Sequence, residues 1–272
     1  MEKIIVDENE RKIFAKKNGE EIEIQTKLVV GADGDHSVVL KSLGERKIDR
    51  ANYASGLRQY WKDISNMQHN HLELYLPKSL PLAYLWIFPL PNGEANVGCG
   101  LQSAFISKKN INLKNIFNDI ITNDPVISNR FKHATPLEKS QGWGLPLASL
   151  KRKTFGDGWL LTGDAASLIC PTTGEGIGPA MMSGYIAAHF IERAVKTNNF
   201  SETTFKNYDR EIYKRLNESI NTYNIIQHIS PMLYNFIINT ITPNSLCRHF
   251  FKKNVVKWIQ TAYTEKIEVN ID

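Results

Sequence analysis

Residues 159–179, with the sequence WLLTGDAASLICPTTGEGIGP, decide the fold of this chain. The apolar run Trp159–Thr162 leads into Gly163-Asp164, a pattern that predicts a buried strand opening into a loop. A helix is predicted from about Pro179 to Val195, because proline suits the first turn of a helix. Small residues on one face of that helix predict a close approach of its backbone to a sheet or a cofactor: Ala180, Ser183, Gly184, Ala187 and Ala188.

A second stretch repeats the arrangement. Leu28-Val29-Val30 is apolar and ends in Gly31-Ala32-Asp33-Gly34, so another buried strand opening into a glycine loop is predicted. An aspartate at the carboxyl end of a buried strand accepts hydrogen bonds from a ligand hydroxyl, and a neighbouring glycine lets the ligand approach the backbone. A single Asp-Gly pair is usually only a turn. Two such loops favour a ligand site.

Gly174–Pro179 places bare amides at the N-terminus of the predicted helix. That end of a helix carries about half a positive charge and stabilises an anion by about 0.3–1 kcal/mol. A reduced flavin carries negative charge along its N1–C2=O edge, so amides aimed at that edge would favour the reduced state. A plain glycine-rich helix start is the alternative.

The composition is that of a folded protein, with 272 residues, 42% hydrophobic and 22% charged, and it excludes disordered and collagen-like classes. The net charge of +5 is too small to indicate nucleic-acid binding. Cys99, Cys170 and Cys247 are too widely spaced for a disulfide framework or a CxxC metal site. We therefore expect no metal and a reducing, cytoplasmic compartment. Neither a signal peptide nor a membrane-spanning segment is predicted.

The segments around the two loops predict further strands and helices. A hairpin is expected from Ile4–Val6 and Ile13–Ala15, and a short helix from Ser37 to Leu43. Four strands are expected to form an antiparallel meander: Tyr53–Trp61, His71–Leu76, Leu82–Leu90 and Glu94–Leu101.

The remaining segments are predicted from apolar spacing. A helix is expected over Leu113–Ile121 and a long amphipathic helix from Phe205 onward, whereas residues 134–150 are expected to be irregular. The basic tail Arg248–Lys257 is expected either to form a solvated face or to contact anionic lipid at a membrane surface.

Two motifs resemble a superfamily. Gly31–Ser37 (GADGDHS) resembles the GADGxxS motif of FAD-dependent oxidoreductases related to p-hydroxybenzoate hydroxylase. Gly163–Ala166, followed by PxxGEGI at 171–177 and AxxSGxxAA at 180–188, is similar to the second FAD motif of that superfamily.

A third motif narrows the resemblance. Tyr84-x-Trp86-x-Phe88-Pro89, followed after eight residues by Gly98-x-Gly100, is similar to the YxWxFPx(7–8)GxG signature of the geranylgeranyl reductase family. The resemblance covers about residues 20–200 and implies a flavin-dependent reductase that saturates C=C bonds of a polyprenyl chain on a lipid, a chlorophyll-type molecule or a quinone. NADPH or ferredoxin would re-reduce the FAD, and the sequence does not choose between them.

The resemblance also implies site residues. Those implied to bind the cofactor are Asp33, Gly34, Asp164, Pro171, Gly174, Gly176 and Ile177. Asp164 would hydrogen-bond the ribityl or pyrophosphate region of FAD, and Gly176 and Ile177 would present amides to the flavin. Tyr84, Trp86 and Phe88 would line an apolar cavity over the flavin, although strand alternation explains them equally well as core residues. No catalytic residue is identified.

The family begins with a βαβ unit carrying GxGxxG, which this sequence lacks. We therefore expect the family fold without its N-terminal third, weak or no FAD binding by the chain alone, and possible assembly with an N-terminal partner chain.

The expected fold is α/β (α+β), with three parts. Residues 1–50 and 151–200 would form an incomplete Rossmann-like FAD-binding domain, 51–150 an antiparallel-sheet substrate domain, and 201–272 a C-terminal helical region. An aromatic-hydroxylase-type monooxygenase shares both Asp-Gly loops and stays an alternative, as does a non-catalytic remnant that binds a lipid or a partner chain.

Overall fold

A computed structural model describes residues 3–6, 11–44, 48–77, 80 and 83–226, together with isolated positions 228, 229, 232, 236 and 269. Its described residues divide into two compact units. The first contains the residues up to Asn52 and those from Pro146 to Ile226, and the second contains Tyr53–Leu145. The basic tail 248–257 lies outside the described residues.

The elements are numbered in chain order. The strands are β1 (Lys3–Val6), β2 (Arg11–Lys17), β3 (Glu20–Thr26), β4 (Val29–Gly31), β5 (Tyr53–Lys62), β6 (Glu73–Tyr75), β7 (Leu85–Pro89), β8 (Glu94–Gln102), β9 (Thr135–Pro136), β10 (Gln141–Pro146), β11 (Phe155–Gly156) and β12 (Trp159–Leu161). The α-helices are α1 (Val38–Ser42), α2 (Ser103–Lys109), α3 (Leu113–Asn123), α4 (Ser128–Phe131), α5 (Ile177–Thr197) and α6 (Tyr208–Ile226).

Two small sheets build the first unit. The sheet β1-β2-β3 is antiparallel, which confirms the predicted hairpin. The second sheet has the order β11-β12-β4, and β12 runs parallel to β4 with Leu161 opposite Gly31. The two short apolar stretches form strands, as predicted, and the structure shows that these strands are adjacent. Gly31 is required here, because a Cβ on it would lie 2.6 Å from the Leu161 side chain.

Helices α5 and α6 pack into the core of the first unit. Phe190 and Tyr208 are fully buried with their rings 5.6 Å apart, and the Tyr208 hydroxyl donates to the Leu161 carbonyl at 2.9 Å. Burial raises the pKa of Tyr208 well above its ordinary value. The segment after residue 201 therefore shares one hydrophobic core with the two parallel strands.

The small residues of α5 do not all serve the same contact, which corrects the sequence interpretation. Ser183 and Ala187 are buried, and the Ser183 hydroxyl accepts from the Gly163 amide at 3.0 Å. Gly184 and Ala188 instead lie on an exposed face of the helix. The helical period separates positions that the sequence interpretation had grouped together.

The second unit is built on an antiparallel sheet with the order β10-β5-β8-β7-β6 and β9 beside β5. The predicted four-strand meander was wrong in one respect: β5 pairs with β8 rather than with β6. The segment 63–72 between β5 and β6 is long enough to carry the chain across the sheet.

Residues 134–150 contain strands β9 and β10, so the prediction of an irregular segment was wrong. Gly142 and Gly144 both lie in β10. A Cβ on Gly142 would lie 3.8 Å from the Gly56 carbonyl oxygen of the neighbouring strand, an ordinary contact distance, so the strand has room for a side chain at this position.

One face of this sheet carries the core of the second unit. Its buried strand residues include Leu85, Ile87 and Val97, and α3 adds Phe117 and Ile120. The helix predicted over Leu113–Ile121 is confirmed, whereas α2 was not foreseen. No helix among the described residues has the length and hydropathy needed to cross a membrane.

Candidate functional site

The two predicted loops follow adjacent parallel strands. Because β4 and β12 run in the same direction, their carboxyl ends lie at the same edge of the sheet. The loop after β4 contains Asp33 and Gly34, and the loop after β12 contains Asp164. The first unit therefore brings the three residues to one end of its parallel strand pair.

Asp33 holds the start of α1. Its carboxylate accepts from the Val38 amide at 2.7 Å, and the Ser37 hydroxyl oxygen accepts from the Leu40 amide at 2.9 Å. Two side chains thus satisfy amides that a helix start leaves without intrahelical partners. Gly34 has a φ of 77°, a conformation that favours glycine. In the protein alone, this aspartate orders the loop, which accords with an indirect supporting role.

Asp164 lies in a 3-10 turn formed by Gly163–Ala166. Burial raises the pKa of the Asp164 carboxyl, and the negative charge of nearby Asp35 raises it further. Asp35 is itself only 7% exposed, and sequence reasoning did not single it out. Because the anionic form of Asp164 is poorly solvated, a ligand that donates hydrogen bonds to it would relieve part of that cost.

The loop from Cys170 to Gly176 closes on itself through its backbone. The Gly174 amide donates to the Cys170 carbonyl at 2.8 Å, and the Cys170 amide donates to the Glu175 carbonyl at 2.8 Å. Gly174 has a φ of 72°, so glycine is favoured at this turn. Pro171 is buried at the base of the loop.

The loop ends at the first turn of α5. The Glu175 carboxylate accepts from the Gly178 amide at 2.7 Å and thereby occupies one of the free donors of this helix start. Among the residues that the structure describes, the amides of Gly176 and Ile177 have no acceptor. A Cβ on Gly176 would come within 3.6 Å of Asp164 Oδ1, so two donors and a carboxylate lie close together.

Cys170 belongs to a small cluster that sequence reasoning did not find. Its sulfur lies 3.0 Å from the Ser219 hydroxyl of α6 and 3.4 Å from the Thr172 hydroxyl, and these two hydroxyls are 2.7 Å apart. The contact with Ser219 joins positions 49 residues apart, and no local pattern signals it.

In the second unit, Trp86 lies over Gly98 on the face of the sheet opposite the core. A Cβ on Gly98 would be 2.2 Å from Trp86 Cζ2 and 2.4 Å from the Leu57 carbonyl oxygen. The Trp86 indole N–H donates to Asn96 Oδ1 at 2.9 Å. Trp86 and Gly98 are directly opposite in the β7–β8 pair, so the tryptophan takes the space that glycine leaves.

Tyr84 and Phe88 extend this tryptophan into an aromatic row. The Tyr84 and Phe88 rings each lie 6.1 Å from the Trp86 ring, and the Trp86–Phe88 pair is stacked. Leu85 and Ile87 point to the opposite face and are buried in the core, which does not include the three aromatic rings. Core packing therefore does not explain the row.

The comparison with protein families identifies this sheet. Residues 52–143 match the family model described as geranylgeranyl reductase catalytic domain. Over these residues the chain is similar to the catalytic domain of the geranylgeranyl reductase family. The matched residues contain the aromatic row and Gly98, so the packing of Trp86 on Gly98 lies within the region of similarity.

Two proteins with similar sequences are both named digeranylgeranylglycerophospholipid reductase. The Methanococcus vannielii protein is 30% identical over 237 residues, which cover 85% of this chain and 59% of the relative. The Methanocaldococcus jannaschii protein is 37% identical over 195 residues, 71% of this chain and 48% of the relative. The chain thus spans about half the length of the relatives that it matches.

Solved structures show the same fold. A geranylgeranyl bacteriochlorophyll reductase-like protein from Thermoplasma acidophilum has a TM-score of 0.75 at 24% identity, covering 97% of this chain and 66% of that protein. The flavin-dependent brominase Bmp2 has a TM-score of 0.66 at 18% identity, covering 90% of this chain and 62% of that protein. The expected mixed α/β fold with an antiparallel sheet is confirmed.

Proposed function

We propose that this chain carries the prenyl-binding sheet and the flavin-binding loop of an FAD-dependent reductase that saturates C=C bonds of a polyprenyl chain. The observation that carries the proposal is the packing of Trp86 over Gly98 on the face away from the core. This packing gives a physical reason for both parts of the family signature, and it holds aromatic rings where an apolar chain can bind.

The loops of the first unit fit a flavin cofactor. The Gly176 and Ile177 amides are the free donors at the start of a 21-residue helix, and Asp164 is a poorly solvated acceptor close to Gly176. When bound, FAD supplies the hydride that reduces the double bond. We assign the hydrogen bond to the ribityl or pyrophosphate region to Asp164.

The remaining predicted residues shape this loop. Gly174 and Pro171 shape the loop that positions the Gly176 amide, and Gly34 forms the turn after β4. Asp33 acts through α1, whose first amides it holds. All of these assignments are our proposal for the loaded protein.

Two exposed surfaces of the first unit support a further structural element. Within the described residues β4 pairs on one side only, and Val30 is 39% exposed. On α5, Ile177, Met181 and Tyr185 form an exposed apolar stripe. We propose that a βαβ unit with a glycine-rich loop adds to β4 and covers this stripe, and that it anchors the ADP half of FAD.

The substrate class follows from the relatives by analogy. Both relatives act on a lipid with geranylgeranyl chains, as their names state. We propose a polyprenyl lipid for this chain too, with cytoplasmic location and peripheral contact at a membrane surface. Sedimentation with liposomes of phosphatidylglycerol at low salt tests that contact, and the absence of any bound protein would contradict it.

Anaerobic reduction of a prenyl lipid tests the function. The chain is mixed with FAD and dithionite, with and without a βαβ fragment, and the lipid is analysed by mass spectrometry. We expect a gain of two hydrogen atoms per reduced bond, and a larger yield with the fragment. An unchanged lipid mass in both arms, with flavin bound in at least one of them, would exclude the reductase activity.

Trp86→Ala is the matched site variant for this assay. It removes the ring from the open face and should lower the reduction rate without changing flavin binding, because the proposed flavin residues lie in the first unit. Val126→Gln, at an exposed position beyond α3, is the control that should leave both quantities unchanged.

A further inference from the structure

Among the described residues β6 lies at the edge of its sheet, and the strand and its flanks carry a row of exposed leucines. Leu72, Leu74 and Leu76 are 72%, 53% and 38% exposed. They alternate with Glu73 and Tyr75, so the leucines share one side of the strand and the two polar side chains share the other. Three large apolar side chains on an exposed sheet edge are unusual, because they favour aggregation.

The polar side chains fix the direction in which the leucines point. The Glu73 carboxylate accepts two hydrogen bonds from Arg130 of α4, at 2.5 and 2.8 Å. The Tyr75 hydroxyl donates to Asp124 at 3.0 Å, beside the end of α3. A one-residue slip of β6 would turn the leucines inward only by breaking both anchors. The exposure of the leucine row is therefore a fixed property of the unit.

The leucine row adjoins the aromatic row. Leu74 lies directly opposite Trp86 in the antiparallel β6–β7 pair, and Trp86 lies opposite Gly98. Side chains of directly opposite residues are about 5 Å apart and lie on the same face. Neither row contains a charged side chain. Alternate positions along a strand are about 6.7 Å apart, so the three leucines span about 13 Å.

We propose that Leu72, Leu74 and Leu76 bind the distal part of a polyprenyl chain and make the site selective for longer chains. The inference rests on the proposed function, which makes a prenyl chain the ligand of the adjacent aromatic row. A long chain that passes Trp86 reaches Leu74 and continues along the leucines, whereas a short chain contacts only the aromatic row.

A second copy of the chain is a weaker candidate for this surface. Strand β6 has three residues, and the leucines expose a few hundred Å² at most, whereas a stable interface buries about 800 Å² on each partner. An uncharged, flexible hydrocarbon chain instead needs only a narrow apolar strip without polar partners.

Equilibrium dialysis with two prenyl alcohols tests the proposal. The probes are tritium-labelled geranylgeraniol and geraniol, which differ in chain length and share the same headgroup. The variant is the double substitution Leu72→Gln and Leu74→Gln, and Val126→Gln is the control that replaces an exposed apolar side chain elsewhere in the unit. We expect the double variant to bind geranylgeraniol about 10- to 30-fold more weakly, since each half-exposed leucine that a ligand covers contributes about fivefold. Geraniol binding should change less than twofold.

Each result decides between the alternatives. Equal geranylgeraniol affinity in the double variant and the control overturns the proposal, as does an equal loss for both alcohols. A dimer of the unaltered chain that the double variant dissociates also overturns it, because the occupant is then a second copy. If the unaltered chain binds neither alcohol, both this proposal and the prenyl assignment fail.

Two further measurements separate folding and catalysis from binding. If the double variant does not fold, Leu74→Thr replaces it, because threonine is also a strand-forming residue. This single variant should bind geranylgeraniol about fivefold more weakly. Selective loss of geranylgeraniol binding, without any flavin-dependent reduction of a prenyl lipid, would support the leucine site and refute only the reductase activity.

Discussion

Gly98→Ala tests the structural basis of the family signature. The added Cβ would lie 2.2 Å from Trp86 and 2.4 Å from the Leu57 carbonyl oxygen, so the indole must move and the β5–β8 backbone must adjust. Overpacking of this kind costs about 1–3 kcal/mol. Displacing Trp86 also weakens its stacking on Phe88, by about 0.5–1.5 kcal/mol, and its hydrogen bond to Asn96, by about 0.5–1.5 kcal/mol.

The expected loss of unfolding free energy is therefore about 2–6 kcal/mol, which lowers the unfolding midpoint by about 5–20 °C. Gly100→Ala is the matched control, because its Cβ would meet only the Ser55 carbonyl oxygen at 3.7 Å and Leu145 at 4.0 Å. Thermal unfolding followed by near-UV circular dichroism measures both variants. Equal midpoints for Gly98→Ala and Gly100→Ala would refute the packing argument. When Trp86→Ala is added to Gly98→Ala, the double variant should recover only part of the lost stability, because the clash of the added Cβ with the Leu57 carbonyl oxygen remains.

Three further predictions concern the remaining glycines, the thiols and the carboxylate. Gly31→Ala should destabilise the first unit by about 1–3 kcal/mol because its Cβ meets Leu161, whereas Gly184→Ala on the open helix face should stabilise it by about 0.5–1 kcal/mol; urea unfolding that gives the same sign for both would contradict this. With Cys247 replaced by serine, a thiol reagent at pH 8 should label Cys170 but should label Cys99 only after urea is added. Burial raises the pKa of Cys99 to about 12, above the unfolded value of 9.0. The contribution of the Cys99 thiol to stability is therefore present below pH 9 and is lost as the pH rises toward 12, by up to about 1.4 kcal/mol per pH unit. Asp164→Asn should weaken FAD binding in the presence of the βαβ fragment about 10- to 100-fold, the effect of losing a hydrogen bond to a charged group. A fluorescence titration that gives an unchanged Kd would remove Asp164 from the flavin site.

The sequence predicted the local elements well and the long-range pairing less well. The strands ending at Gly31 and Leu161 were predicted from short apolar runs followed by glycine, and their parallel pairing is what such runs favour. The pairing of β5 with β8 was missed, because neighbouring strands in sequence are the default expectation and no local residue signals a crossing. The same reason applies to the contact between Cys170 and Ser219.

Two incorrect predictions concern glycines, because the structural role of a glycine depends on the residues that pack against it. The segment 134–150, which contains Gly142 and Gly144, was predicted to be irregular, yet both glycines lie in β10. Gly184 was interpreted as a close-contact residue, yet a Cβ on it would meet no atom within 4 Å. Both errors arise because the role of a glycine depends on the atoms that surround it in the folded chain, and the sequence does not show those neighbours.

The leucines of β6 illustrate the reverse case, in which the pattern was visible and its orientation was not. His71–Leu76 was predicted to be a strand, and the apolar face of a strand normally turns toward the core. Here the polar partners of Glu73 and Tyr75 lie on the helical side, so two anchored side chains determine the orientation and the leucines face outward. Removing the ion pair between Arg130 and Glu73 tests whether these anchors determine the orientation of β6. Arg130→Met should let β6 detach or reverse, and hydrogen exchange at the Tyr75 amide, which lies opposite Leu85 in the β6–β7 ladder, should then accelerate at least tenfold. Unchanged exchange in that variant would mean that the ladder with β7 alone fixes the strand, and that the leucines are exposed for another reason.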